Sequence, residues 1–215
     1  MKLQLPRLYP ILDTELYEQR GLGLFDAART LLDAGVRIVQ YRHKGEFTRA
    51  RWEEAKAISE LCHGAGAQFV MNDRVDFAAL LRGGAHLGQD DLPPSAARTV
   101  IGPETMLGFS THNETQLRQA DAEPVDYIAL GPMFTTGSKR NPDPVVGPAE
   151  LMRLRPITSK PLVAIGGITL ETSRAVLDAG ADSVAVISAL LPESGGLVEL
   201  TVLVRRWLST VTARP

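Results

Sequence analysis

Gln40, Arg42 and Lys44 occupy every second position at the end of the apolar run Val36-Arg37-Ile38-Val39. Side chains on a strand alternate between its faces, so this spacing places an amide and two cations on one face of a strand end. Charge held there unpaired is costly, and an acidic side chain or a phosphorylated ligand must answer it. Polar groups follow other apolar runs too. They are Asn72-Asp73, Gly88-Gln89-Asp90-Asp91, Ser110 with His112, Gly131-Pro132 with Thr135-Thr136-Gly137-Ser138-Lys139, Gly166-Gly167-Ile168-Thr169, and Ile187-Ser188. Taken singly, each has a plainer reading. Cations past a strand end are commonly solvated, an Asn-Asp pair commonly turns the chain or caps a helix, and paired glycines allow tight packing. A lone His such as His112 is more often a surface group than a catalyst.

The elements that would position these groups alternate along the chain. Short apolar runs predict strands at Leu8–Leu12, Arg37–Tyr41, Gln68–Met71, Ala85–Leu87, Met106–Phe109, Tyr127–Leu130, Leu162–Ile165 and Ser183–Ile187. Amphipathic spacing predicts helices at Phe25–Asp33, Arg51–His63, Asn113–Ala120, Leu170–Asp178 and Val198–Leu208, with Trp52 and Trp207 on apolar faces. The repeat Leu32-Asp33-Ala34-Gly35 and Leu177-Asp178-Ala179-Gly180 marks two helix ends before strands. This α/β alternation is the pattern of a single (β/α)₈ TIM barrel, expected to form one domain over residues 1–215. A doubly wound sheet is the competing fold, but Asp13-Thr14-Glu15 follows the first strand in place of a glycine-rich dinucleotide loop.

In such a barrel, active sites form at the carboxyl ends of the strands, so the polar groups would converge. Asp73 and Asp91, at neighbouring strand ends, would then share one ion. Two hard oxygen ligands with substrate phosphate and water suit Mg²⁺ better than zinc. Arg42 and Lys44 could hold phosphoryl oxygens beside it. Across the barrel, the backbone N–H groups at Gly166-Gly167, with Ser188, form the place where phosphate is commonly cradled. Two anion sites predict two phosphorylated substrates, or one substrate phosphorylated at both ends. His43, His63 and His86 share no ligand spacing and are expected to be structural or exposed.

Composition narrows the function class. A net charge of −2 with scattered Lys and Arg argues against nucleic-acid binding. Cys62 is the only cysteine, which fits a reduced, cytoplasmic setting. The amino end lacks the apolar core of a signal peptide, and no apolar run approaches the ~18 residues of a membrane span. A homo-oligomer is left open.

The motifs Gln40-x-Arg42-x-Lys44, Asn72-Asp73, His86-Leu87-Gly88-Gln89-Asp90-Asp91, Ser110-x-His112, Gly131-Pro132-Met133-Phe134, Thr136-x-Ser138-Lys139 and Ile165-Gly166-Gly167-Ile168-Thr169 together resemble the thiamine phosphate synthases. The resemblance runs in order from Leu8 to Leu191. It implies a (β/α)₈ barrel, a transferase of a pyrimidinylmethyl group, and Mg²⁺. The reaction joins 4-amino-2-methyl-5-hydroxymethylpyrimidine diphosphate to a thiazole phosphate, carboxylated or not, releasing pyrophosphate by a dissociative substitution. By the same resemblance, Gln40, Arg42, Lys44, Asn72, Ser110 and Lys139 bind the pyrimidine diphosphate, with Arg42, Lys44 and Lys139 catalytic. Asp73 and Asp91 ligate Mg²⁺. Thr136, Ser138, Gly167, Ile187 and Ser188 surround the thiazole phosphate. The family more often has Thr at Ser138, Pro at Thr135 and an acidic residue at His43. Two other readings compete: a thiazole tautomerase using His112, and a non-catalytic binding protein. The Asn72-Asp73, Asp91 and Lys139 set favours the synthase. Gly137 to Gly147 is a candidate lid.

Overall fold

The computed structural model describes residues 3–135, 143–194 and 196–213. Eight parallel strands close into a barrel in chain order. They are β1 (Leu8–Asp13), β2 (Ile38–Arg42), β3 (Gln68–Asn72), β4 (Gly84–Leu87), β5 (Leu107–Thr111), β6 (Tyr127–Leu130), β7 (Leu162–Ile165) and β8 (Ser183–Val186). Around them run α1 (Thr14–Gln19), α2 (Leu24–Asp33), α3 (Arg49–Gly64), α4 (Val75–Leu81), α5 (Pro94–Ile101), α6 (Glu114–Ala122), α7 (Gly147–Leu154), α8 (Leu170–Asp178) and α9 (Gly196–Thr212). β1 pairs with β8 through Leu8–Val184, which closes the circle and confirms the predicted (β/α)₈ barrel over the open sheet. The sequence pattern found the long helices but not α1, α4, α5 or α7, which have six to eight residues and show too little period to stand out. The run Leu81-Arg82-Gly83-Gly84 resembles the two glycine-ended repeats, but no glycine ends α4. Arg82 takes the left-handed turn, at φ 53°.

Strand alternation builds two apolar layers. Outward residues such as Leu12, Val39, Phe69 and Leu130 meet the helices, and α9 seals the seam against α2 and α8 with Trp207 buried. Inward residues Tyr9, Ile11, Ile38, Val70, Tyr127, Ala129, Val163 and Ala185 fill the barrel. Two residues further along the same strand faces the character changes. Ile11 gives way to Asp13, Ile38 to Gln40 and then Arg42, and Val70 to Asn72. The barrel therefore has an apolar floor and a polar carboxyl-terminal end, the division expected of a fold that does chemistry at one end.

One glycine in that interior makes room for a neighbour. Gly108 pairs in register with Tyr127, and a Cβ built on it would lie 2.0 Å from the Tyr127 Cζ. The ring occupies the space that any other residue at 108 would fill. Gly108→Ala is therefore expected to lower stability by at least the ~1–3 kcal/mol of an overpacked core, measured by urea unfolding.

Candidate active site

The carboxyl ends of the strands surround a cleft of about 870 Å³. Its walls include Gln40, Arg42, Lys44, Asn72, Asp73, Asp91, Ser110, Gly167, Ile187 and Ser188, so every candidate residue among the described ones faces the same space. Thr136, Ser138 and Lys139, with much of the candidate lid, lie outside the described residues. His86, Gln89, His112 and Asp143 also line the cleft.

The β2 wall answers its own charge partly from within. Arg42 donates through Nη1 to Asp13 Oδ2, which β1–β2 register places directly opposite. Asp13 also caps α1 by accepting from the Leu16 N–H, 3.1 Å away. β2 ends at Arg42, so Lys44 stands in the following loop and strand alternation does not orient it. It reaches the cleft all the same and donates to Asp73 Oδ2 at 2.6 Å. The acidic partners of the two cations are thus Asp13 and Asp73. A guanidinium bound at one nitrogen keeps further donors for a ligand.

Asp73 holds a left-handed backbone, φ 64°, immediately after β3. Asp adopts this conformation more readily than most residues, yet it remains a sparsely populated one and clusters at functional positions. Its carboxyl does not cap α4, whose preceding residue makes no side-chain cap. Burial pushes the Asp73 carboxyl above the usual range, Lys44 opposes this, and the adjacent Asp91 carboxylate pushes it up again. Asp91 Oδ2 accepts from the Gly88 N–H at 2.7 Å. Two neighbouring carboxylates, one of them bonded to the Lys44 ammonium, form an oxygen-only set short of positive charge, which fits Mg²⁺. Among the described residues no cluster of three or more His, Cys, Asp or Glu could hold a metal alone, so substrate oxygens and water would complete the shell.

Beside them, the buried Asn72 Nδ2 has no hydrogen-bond partner. A buried donor of this kind is costly unless a ligand accepts from it. Across the cleft, Gly166 and Gly167 have φ of 94° and 67°, and a Cβ on Gly167 would lie 2.6 Å from the Thr135 carbonyl oxygen. Only glycine lets this turn pass so near the β6 loop, and it presents its backbone to the cleft just before α8.

Of the histidines expected to be structural or exposed, His86 takes a buried, hydrogen-bonded place. It is buried inside the barrel yet lines the cleft, with Nε2 2.9 Å from Ser110 Oγ and Nδ1 2.9 Å from the Tyr127 hydroxyl. Burial lowers its pKa to about 4, Asp91 opposing and Lys44 adding to the effect. The unfolded chain binds this proton near 6.5, so stability should fall as pH drops from about 6.5 to 4, by about 3 kcal/mol from this group. Urea midpoints across that range should slope less in His86→Gln than in the wild type. His112 Nδ1 lies 2.7 Å from the Gly131 carbonyl oxygen, and Nε2 lies 3.5 Å from Asp143 Oδ2.

The family model for thiamine monophosphate synthase matches residues 8–190. The chain belongs to the thiamine monophosphate synthase family. A thiamine-phosphate synthase of Koribacter versatilis is 50% identical over 192 residues, covering 88% of this chain and 90% of that one. One of Moorella thermoacetica is 37% identical over 206 residues, covering 95% of each. The solved thiamine phosphate pyrophosphorylase of Pyrococcus furiosus superposes with a TM-score of 0.82 at 29% identity, over 97% of this chain and 98% of that one. Among the described residues no helix is long and apolar enough to cross a membrane.

Proposed function

We propose that this family member is a thiamine-phosphate synthase that joins an aminopyrimidine diphosphate to a thiazole phosphate in the β-strand-end cleft. The observation that carries the reading is the β2–β4 wall, where two cations, two adjacent carboxylates and the orphaned Asn72 Nδ2 meet. Arg42, Lys44 and Asn72 hold the diphosphate, with Lys139 completing the set. Gln40 and Ser110 hold the pyrimidine. Gly167, Ile187 and Ser188, with Thr136 and Ser138, take the thiazole phosphate. Asp73 and Asp91 hold Mg²⁺, which when bound neutralises charge on the diphosphate oxygens.

The hard step breaks the bond between the pyrimidine methylene and the diphosphate, whose oxygen leaves with the electron pair. The thiazole nitrogen then donates its lone pair to the methylene. No proton moves in that substitution, so no general base is needed. What the residues supply is stabilisation of the departing charge, greater in the transition state than in the ground state. The test mixes purified protein with the two substrates and Mg²⁺. Thiamine phosphate and pyrophosphate should form in equal amounts, and a chelator should stop them. Conversion of a thiazole tautomer with no thiamine phosphate would reassign the cleft to an isomerase using His112.

A further inference from the structure

Beneath the cleft, five side chains from five strands form one hydrogen-bonded chain across the barrel. Gln40 Nε2 lies 3.1 Å from the Tyr9 hydroxyl, and the Tyr9 and Tyr127 hydroxyls are 2.9 Å apart. Tyr127 reaches His86 Nδ1, and His86 Nε2 reaches Ser110 Oγ, each at 2.9 Å. Tyr9 and Tyr127 are fully buried and do not line the cleft, whereas Gln40, His86 and Ser110 do.

Counting protons gives the chain a direction. Each tyrosine has one O–H, and a neutral imidazole has one N–H and one lone pair. With Gln40 donating, the Tyr9 oxygen accepts and its proton goes to Tyr127. Tyr127 must donate to His86 Nδ1, so the imidazole proton sits on Nε2 and points at Ser110 Oγ. The Ser110 proton is then left for the cleft, and Gln40 keeps Oε1 and its second N–H for it. We infer that Tyr9, Tyr127 and His86 are positioning residues that keep Gln40 Oε1 free to accept and the Ser110 O–H free to donate, and so select a ring bearing an amino group over its oxo counterpart. An amine donates toward β2 and a ring nitrogen accepts toward β5; an oxo ring reverses the first of these. This deepens the synthase reading and rests on it for the identity of the ring.

The relay itself is testable without substrate. Nitrogen-15 shifts of His86 should show the Nε2–H tautomer in the wild type. Ionised, as at high pH, Gln40→Glu can only accept from Tyr9, so it should reverse every bond and move the proton to Nδ1, three groups away. An Nδ1–H wild type, or a tautomer unmoved in Gln40→Glu, overturns the relay. With substrates, Tyr9→Phe and Tyr127→Phe should raise KM for the aminopyrimidine diphosphate about tenfold, leave KM for the thiazole phosphate within about twofold, and cut the amino-over-oxo preference about tenfold. Equal changes in the two KM values, or an unchanged preference, overturn the positioning role. A tautomer that switches as expected in a protein that makes no thiamine phosphate would uphold the relay and remove the synthase reading. The wild-type tautomer needs no variant, so a misfolded substitution leaves the test intact.

Discussion

Arg42→Ala is expected to lower kcat/KM by about 10²–10³-fold, the effect of losing one electrostatic donor worth ~2.7–4 kcal/mol to the transition state. The side chain has two duties. Its guanidinium bonds Asp13, whose side chain is only 6% exposed, and it also lines the wall assigned to the diphosphate. Removing it strands a nearly buried carboxylate as well as a leaving-group contact, so the variant should also lose stability. The two effects separate in a short series. Arg42→Ala with Asp13→Asn, which removes the stranded charge but keeps an oxygen for the Leu16 N–H, should recover part of the urea midpoint but none of the turnover. Arg42→Lys should keep a charge for Asp13 but lose the planar fork, and fall between the wild type and Arg42→Ala in rate. Steady-state kinetics with each substrate varied, beside urea unfolding, checks the series. A turnover within about twofold of wild type in Arg42→Ala would remove it from the leaving-group wall.

The unequal legibility of the site has a physical cause. Gln40, Arg42, Asn72, Asp73 and Ser110 sit at or just past strand ends, and strand ends are visible as the place where an apolar run stops. Once the alternation implied a barrel, those ends had to converge. The partner of Arg42 was not visible, because Asp13 meets it through β1–β2 register and nothing in the spacing of 29 positions records that. Lys44 was placed in the cleft for a reason that does not hold. The strand stops at Arg42, and the contact with Asp73, just past the end of the neighbouring strand β3, brings Lys44 back. That His86 also lines the cleft was not visible, because a histidine in a strand carries no mark of which face is inward. The register that sets Gly108 beside it and Tyr127 beyond brings the Tyr127 hydroxyl to its Nδ1. The short helices escaped for want of length, but their boundaries position little in the cleft.

Asp73→Asn should separate catalysis from stability in opposite directions. Asn tolerates the left-handed backbone almost as well as Asp, so the φ of 64° after β3 should survive the change. In the native chain, burial and then Asp91 raise the Asp73 pKa, and the net shift stays upward despite Lys44. A carboxyl whose folded pKa lies above its unfolded value is ionised more readily in the unfolded chain. Stability is therefore lost as pH rises from the unfolded value through the folded one, and the loss persists at neutral pH. Asn carries no charge to desolvate, and Lys44 is half exposed, so freeing it costs little. The metal-free variant should unfold in urea at a midpoint equal to or above that of wild type at pH 7, with the difference vanishing at low pH. Turnover should fall by about 10²–10³-fold and require more Mg²⁺ to saturate, because one of two carboxylate ligands has become a neutral oxygen. A merely structural carboxylate predicts the reverse pattern, a lower midpoint with an unchanged Mg²⁺ requirement, and that result would take Asp73 out of the proposed metal site. The opposition of sign follows from placing like charges side by side without a cation to share. Such a pair is a cost to the empty fold, and it becomes favourable only when a cation bound with the diphosphate lies between the carboxylates.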